Sequence, residues 1–271
     1  MKISIITPSY NSLNFLKDCH KSIITQKNAD FEHIVVDGLS NDGTQEWANK
    51  KNIKLISEKD DGMWDAVNKG INIATGQIIL QLNCDEQLLD KALETVTNEF
   101  KRNSNFDILV GDRILYNEDT SFNCFRKTLP IRKNLIISET LYLPTCGIFY
   151  KKKIFNQLKF DTEFKAAADA DFVYKVIECG YRFKRLKKFT SLFMVREDNK
   201  QLSTNALREV NFLRDKYNFQ SSIISKIKKY FLIILNLSFI TKIPLKYRYY
   251  SNEEKNSKII YFPSYKMKKF P

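Results

Sequence analysis

ATGQIILQLNCDE, residues 74–86, decides how this chain folds. Its middle, Ile78-Ile79-Leu80-Gln81-Leu82, has too little alternation for a strand with one face in water. It reads instead as a strand covered on both faces, the kind found in parallel sheets sandwiched between helices. Gly76 ends whatever helix precedes it, and the run stops abruptly at Asn83-Cys84-Asp85-Glu86.

Upstream, Trp64, Val67, Ile71 and Ala74 recur on one helical face, with Asp65 and Lys69 spaced as an i, i+4 ion pair on another. The same strand and helix signals repeat through the first half. They predict strands at residues 2–7, 33–37, 53–57, 77–82 and 106–110, and helices at 13–25, 44–50, 63–74 and 89–101. Such alternation implies an α/β fold with a central, mostly parallel sheet flanked by helices. Beyond Gly111 the pattern fades, leaving a helix at 167–179 and another after Ser203. The expected division is one catalytic domain over 1–219, with a nucleotide-binding half (1–111) and an acceptor-side half (112–219), followed by a basic tail over 220–271.

Composition narrows the setting. The 271 residues carry a net charge of +13, but residues 200–271 hold 15 Lys+Arg against 4 Asp+Glu, so +11 of it lies there and the body is nearly neutral. A near-neutral body without a basic-aromatic platform argues against nucleic acid as a partner. Five scattered cysteines, none spaced as CxxC, argue against a disulfide framework or a zinc cluster. The apolar run at the N-terminus breaks at Pro8, too early for a signal peptide or a membrane span. A cytoplasmic setting is therefore expected.

In open parallel sheets ligands sit beyond the carboxyl ends of the strands. Here those ends are polar: TPSYN at 7–11, DGLSNDGT at 37–44, Asp60-Asp61-Gly62, and Asn83-Cys84-Asp85-Glu86. Several carboxylates at one sheet edge call for a cation, and carboxylate oxygens suit Mg²⁺ or Mn²⁺. Magnesium completes its shell with waters and substrate phosphates, so a nucleotide diphosphate is the natural third component. Asp85, directly after the buried strand, is the first choice of metal ligand. Its alternative role is a turn or helix-capping acid.

The order and spacing of TPSYN, VVDGLSNDGT, DGMWDAVNKG, ATGQIILQLNCDE and AAADADFVYKV resemble the family 2 glycosyltransferases with the GT-A fold, over about residues 1–217. The likeness is greatest to bacterial enzymes of capsule, lipopolysaccharide and exopolysaccharide assembly. It implies transfer of a sugar from a nucleotide-diphosphate donor, a UDP-sugar first, to a hydroxyl of a lipid-linked or polysaccharide acceptor, with inversion. It assigns Thr7, Pro8, Tyr10 and Asp37 to the donor base and Asp85 to the metal. Many relatives carry a second acid after Asp37, where this chain has Gly38, so the base contact falls to Asp37 and Asp61. Asn83 replaces the first acid of the Asp-x-Asp signature; it can accept a ribose hydroxyl but brings no charge.

The general base of the family aligns with Asp169, with Asp171 as its neighbour or a helix-start acid favoured by the macrodipole. Residues 201–203 match a loop that often closes over the donor, and Thr145-Cys146 stand where relatives often have His-Gln. His20 and His33 read as helix-face and strand-start residues rather than ligands.

The tail contains SKIKKYFLIILNLSFITKIPLKYRYY, residues 225–250, whose apolar core is too short to cross a bilayer. Its flanking Lys226, Lys228, Lys229, Lys242, Lys246 and Arg248 suit a helix lying on an anionic membrane surface, with Tyr247, Tyr249 and Tyr250 at the boundary. The competing reading is a core or dimer-contact helix with a basic rim. For the whole chain the alternatives are a nucleotidyltransferase, which would want a glycine-rich basic loop after the first strand, and a non-catalytic nucleotide- or nucleic-acid-binding protein.

Overall fold

The computed structural model describes residues 1–131, 145–196, 204–219, 227, 231 and 245–260. Four strands, β1 (Lys2–Ser9), β2 (Asp30–Asp37), β3 (Lys54–Ser57) and β4 (Ile78–Gln81), lie parallel in the order β3-β2-β1-β4. They are linked by helices α1 (Leu13–Ile24), α2 (Thr44–Lys50) and α3 (Met63–Ile73). The sheet then turns mixed. Short β5 (Glu86–Leu88) leads into α4 (Ala92–Arg102), followed by β6 (Ile108–Asn117), β7 (Phe122–Arg126), β8 (Ile148–Lys151), α5 (Ala168–Glu178), β9 (Phe183–Val195) and α6 (Thr204–Lys216). Strand β8 runs antiparallel to both β4 and β6, β9 is parallel to β6, β5 closes the edge antiparallel to β9, and β7 pairs with β6.

Strand parity explains the two-sided core. Side chains alternate across a sheet, so Ile3 and Ile5 of β1 pack with Ile78 and Leu80 against Cys19 and Ile23 of α1 and Leu93 and Val96 of α4. Ile6 faces the other way and meets Ile34, Val36 and Ile79 beneath Trp64, Val67 and Ile71 of α3 and Phe172 and Val176 of α5. Gly70 lets α3 approach β1 closely: a β-carbon there would sit 2.5 Å from Ile6 Cγ2. The expected α3 face is buried, and Lys69 Nζ lies 3.1 Å from Asp65 and 2.9 Å from Glu58.

The end of the tail differs from the sequence expectation. Residues 245–260 form a hairpin of β10 (Leu245–Ser251) and β11 (Glu254–Ile260), joined by Asn252 and Glu253, both with positive φ as a tight two-residue turn requires. Tyr247 and Tyr249 alternate inward with period two and pack on Ile114, Tyr116, Phe125 and Leu192, while Lys246 and Arg248 point outward. Gln87 bonds the backbone of Tyr250 in both directions (2.7 and 2.8 Å). These tyrosines therefore sit in protein rather than at a lipid boundary, because period-two burial, not helical periodicity, governs this stretch. Most of the apolar run before it lies outside the described residues. Among those described, no helix is long and apolar enough to cross a membrane.

Candidate active site

The carboxyl ends of β1 and β4 and the first turns of α3 and α5 surround a cleft of about 640 Å³. Strand β1 contributes Pro8, Ser9 and Tyr10, and Tyr10 is two-thirds exposed. The loops after β1 and β2 are stitched together: Asn11 N donates to Ser40 Oγ (2.8 Å), Asn41 N to Asn11 Oδ1 (3.0 Å), and Leu13 N at the start of α1 to Asp42 Oδ2 (2.8 Å). Asp37 organises this loop from within. Fully buried, it accepts from Ser40 N (3.1 Å), Ser40 Oγ (2.5 Å) and Ser57 Oγ (2.9 Å).

Strand β4 supplies the opposite wall, with Gln81, Asn83, Cys84 and Asp85. Gln81 Nε2 donates to Asn83 Oδ1 (3.1 Å), and Asn83 N donates to the buried Glu86 (2.8 Å). Burial first, and the neighbouring Asp85 charge second, push the Glu86 carboxyl up to about 8. Asp85, half-buried, thus brings a carboxylate to the cleft beside an acid that resists ionising.

Asp169 stands in the first turn of α5 and lines the same cleft. Burial is the chief reason its carboxyl is pushed up to about 7, even though Ala170 N donates to it (2.8 Å). Asp85 and Asp169 therefore share one cavity, as a metal ligand and a base on either side of a sugar would have to. Lys165 and Arg196 add positive charge to the wall. Lys165 Nζ donates to Asp61 O (2.6 Å), and the Arg196 guanidinium lies over the Phe15 ring at 4.7 Å.

Four residues expected at the site are turned away from it. Thr7 shares the parity of Ile3 and Ile5, so its hydroxyl meets His33 Nε2 (2.9 Å) on the α1 side of the sheet. Asp37 is consumed by its three donors. Asp61 is exposed and contributes only backbone contacts, whereas Asp60 lines the cleft and accepts from Gly62 N (2.9 Å). Asp171 has no exposure and is held by Lys175 (2.6 Å), Lys216 (3.0 Å) and the Tyr217 hydroxyl (2.7 Å). Burial works against its ionisation, but Lys175, Tyr217 and Lys216 outweigh it and hold the carboxyl below the usual range. Asp60, Lys165 and Arg196 were missed by sequence reasoning. Only the pairing of Asp60 with Asp61 offered a signal.

Thr145 lines the cleft, while residues 201–203 lie outside the described residues. Among the described residues no group of three or more His, Cys, Asp or Glu could hold a metal unaided. A hard divalent cation that takes its remaining oxygens from water and substrate phosphates needs only one or two carboxylates. The donor set at Asp85 fits that demand.

The sequence profile of Glycosyl transferase family 2 matches residues 4–177. An uncharacterized glycosyltransferase of Methanocaldococcus jannaschii is 25% identical over 269 residues, covering 89% of this chain and 91% of that protein. Among solved structures, S. aureus TarS 1-349 in complex with UDP-GlcNAc superposes with a TM-score of 0.60 at 24% identity, over 79% of this chain and 65% of that one. Mannosyltransferase PcManGT from Pyrobaculum calidifontis, in complex with GDP-Man and Mn²⁺, gives 0.55 at 19% identity, over 77% and 60%. This chain thus spans about 60–65% of the length of those two solved chains, and the likeness to them is one of fold. With well over half of its length matched by the family profile and a relative aligned almost end to end, the chain belongs to glycosyl transferase family 2 and is a glycosyltransferase.

Proposed function

We propose that the enzyme transfers a sugar, with inversion, from a nucleotide-diphosphate donor, a UDP-sugar first, to a hydroxyl of a lipid-linked or polysaccharide acceptor. The observation that carries this reading is the placement of Asp85 and Asp169 on one cleft. The donor class is supported by the UDP-GlcNAc and GDP-Man complexes of the two fold neighbours.

Pro8 and Tyr10 offer an apolar and aromatic surface to the base, with Asp60 at its edge, and Asn83 meets the ribose. Asp85 would hold Mn²⁺ or Mg²⁺, and the ion would supply positive charge to offset the diphosphate. Asp169 takes the proton of the acceptor hydroxyl as that oxygen bonds to the anomeric carbon. The bond from that carbon to the diphosphate oxygen breaks on the opposite face, and the nucleoside diphosphate leaves with the electron pair. A carboxyl titrating near neutrality is matched to this task, since a large fraction of it is ionised at neutral pH and the carboxylate is basic enough to take the proton. Lys165 and Arg196 add fixed positive charge near the leaving group.

The catalytic unit spans 1–219, with the β10–β11 hairpin packed on it. The lysines at 226, 228, 229 and 242 are proposed to meet an anionic, cytoplasmic membrane face where such acceptors reside. A thermal-shift panel of UDP- and GDP-sugars tests the core of the scheme. A donor should raise the midpoint with Mn²⁺ and fail to do so in excess EDTA or in Asp85→Ala. Metal-independent stabilisation in the unaltered enzyme would overturn the role of Asp85.

A further inference from the structure

Helix α6 holds the chain on both sides of Asp169, in the segment that enters α5 and in the first turn of α5. Lys165 and Ala166 precede the helix and Ala167 is its cap residue, so their amides find no acceptor in the helical ladder, and Ala167 has no side-chain acceptor to offer. Glu209 of α6 provides them. One of its oxygens accepts from Lys165 N (2.8 Å), the other from Ala166 N (2.8 Å) and Ala167 N (2.9 Å). Two turns further on, Lys216 and Tyr217 hold Asp171. Lys165, Ala166 and Asp169 all line the cleft, whereas Glu209 does not.

Docking of α6 does not require these bonds, since Val210 and Leu213 already bury themselves in the core. Charge-assisted bonds to three successive amides do something packing cannot, which is to fix the backbone path into the α5 turn. We propose that Glu209 is a positioning residue for catalysis: it holds residues 165–167 so that the Asp169 carboxylate meets the acceptor hydroxyl at a productive angle. This rests on Asp169 being the base. The charge on Glu209 also raises the Asp169 carboxyl, in the same direction as the larger effect of burial.

The test compares Glu209→Gln and Glu209→Asp with the unaltered enzyme. Turnover is read as nucleoside diphosphate released from whichever UDP- or GDP-sugar the unaltered enzyme hydrolyses fastest with Mn²⁺. The carboxamide keeps the size but has one acceptor oxygen for three donors. Glu209→Gln should lower kcat about tenfold or more with donor KM within about twofold. It should also move the acidic half-maximum of the pH–rate curve to lower pH and speed amide exchange over residues 160–172. Glu209→Asp keeps the charge but loses reach, so kcat should fall while the pH profile stays. A Glu209→Gln kcat within about threefold of the original overturns the proposal. So does a loss that tracks the thermal midpoint with an unmoved pH profile. Asp169→Asn separates the two ideas: if it keeps turnover, the base assignment falls and takes this proposal with it. If it abolishes turnover while Glu209→Gln does not slow it, only the positioning role falls.

Discussion

Asp60 fills the space that a side chain on Gly38 would need: a β-carbon at Gly38 would lie 2.7 Å from Asp60 Oδ2 and 3.4 Å from Tyr10 Cδ2. Position 38 carries no side chain, and a carboxylate from the next strand end occupies the ground one would take. Gly38→Asp should therefore crowd two negative charges into one position and displace Tyr10. The expected outcome is a rise of about tenfold or more in donor KM with kcat nearly kept, the signature of lost uniform binding. Adding Asp60→Gly should recover part of the loss in the same assay, and an unchanged KM in Gly38→Asp would contradict the shared space.

Asp169 should show its burial in two measurements of opposite sign. With the carboxyl pushed up to about 7, kcat should fall by half near neutral pH on the acid side, where the base becomes protonated. Its folded pKa is raised, so the neutral form favours folding, and that stability is lost as pH climbs from the ordinary value of about 4 through 7. Asp169→Asn should consequently raise the unfolding free energy at pH 8 by an amount on the order of 1–3 kcal/mol, read by denaturant titration, and change it little at pH 4. Turnover should drop by about 10²–10⁴ in the same variant.

Asp171 behaves in the reverse way. Its carboxyl is held low, so its contribution is present above the ordinary pKa and fades as pH falls through the lower folded value. Asp171→Ala leaves Lys175 and Lys216 without their shared partner. Because both lysines are about one-third exposed, the cost at pH 7 should be about 2–3 kcal/mol rather than the full loss of a buried pair. Turnover per folded molecule should stay within about threefold. Denaturant titration beside an activity assay distinguishes this from a catalytic role.

The two histidines form a second pH-sensitive element. His20 Nδ1 and His33 Nδ1 are 2.9 Å apart with the rings stacked, which requires one nitrogen to donate and the other to accept. Burial lowers His33 to about 3 and His20 to about 4, and His33 is further lowered by His20. Neutral rings are satisfied; protonated ones put two N–H groups face to face. Stability should be full above about pH 6.5 and decline as pH falls towards 4, by a few kcal/mol in all. The double variant His20→Leu/His33→Val should flatten that slope in thermal melts between pH 4 and 7.

The first hundred residues were legible because their strands are buried on both faces and their helices keep a clean apolar stripe. Strand ends could be located, and with them Pro8, Tyr10, Asn83 and Asp85. Thr7 lies off the cleft, and its parity with Ile3 and Ile5, readable in the sequence, accounts for that. Of the adjacent pair Asp60 and Asp61, it is Asp60 that lines the cleft, a choice that composition and spacing do not encode. The later strands escaped for physical reasons. Three-residue β5 and four-residue β8 are too short to show a period, and β9 opens with the basic, half-buried to exposed stretch 183–188, which looks like a loop. Glu209 was invisible because its partners are backbone amides more than forty residues away.

The hairpin changes what the basic tail can be mechanically. Asp18 grips its turn through Asn252 N and Glu253 N, and Gln87 clasps Tyr250. Residues 245–260 are thereby riveted to α1 and β5, so a chain segment more than 150 residues downstream braces the nucleotide-side half of the sheet.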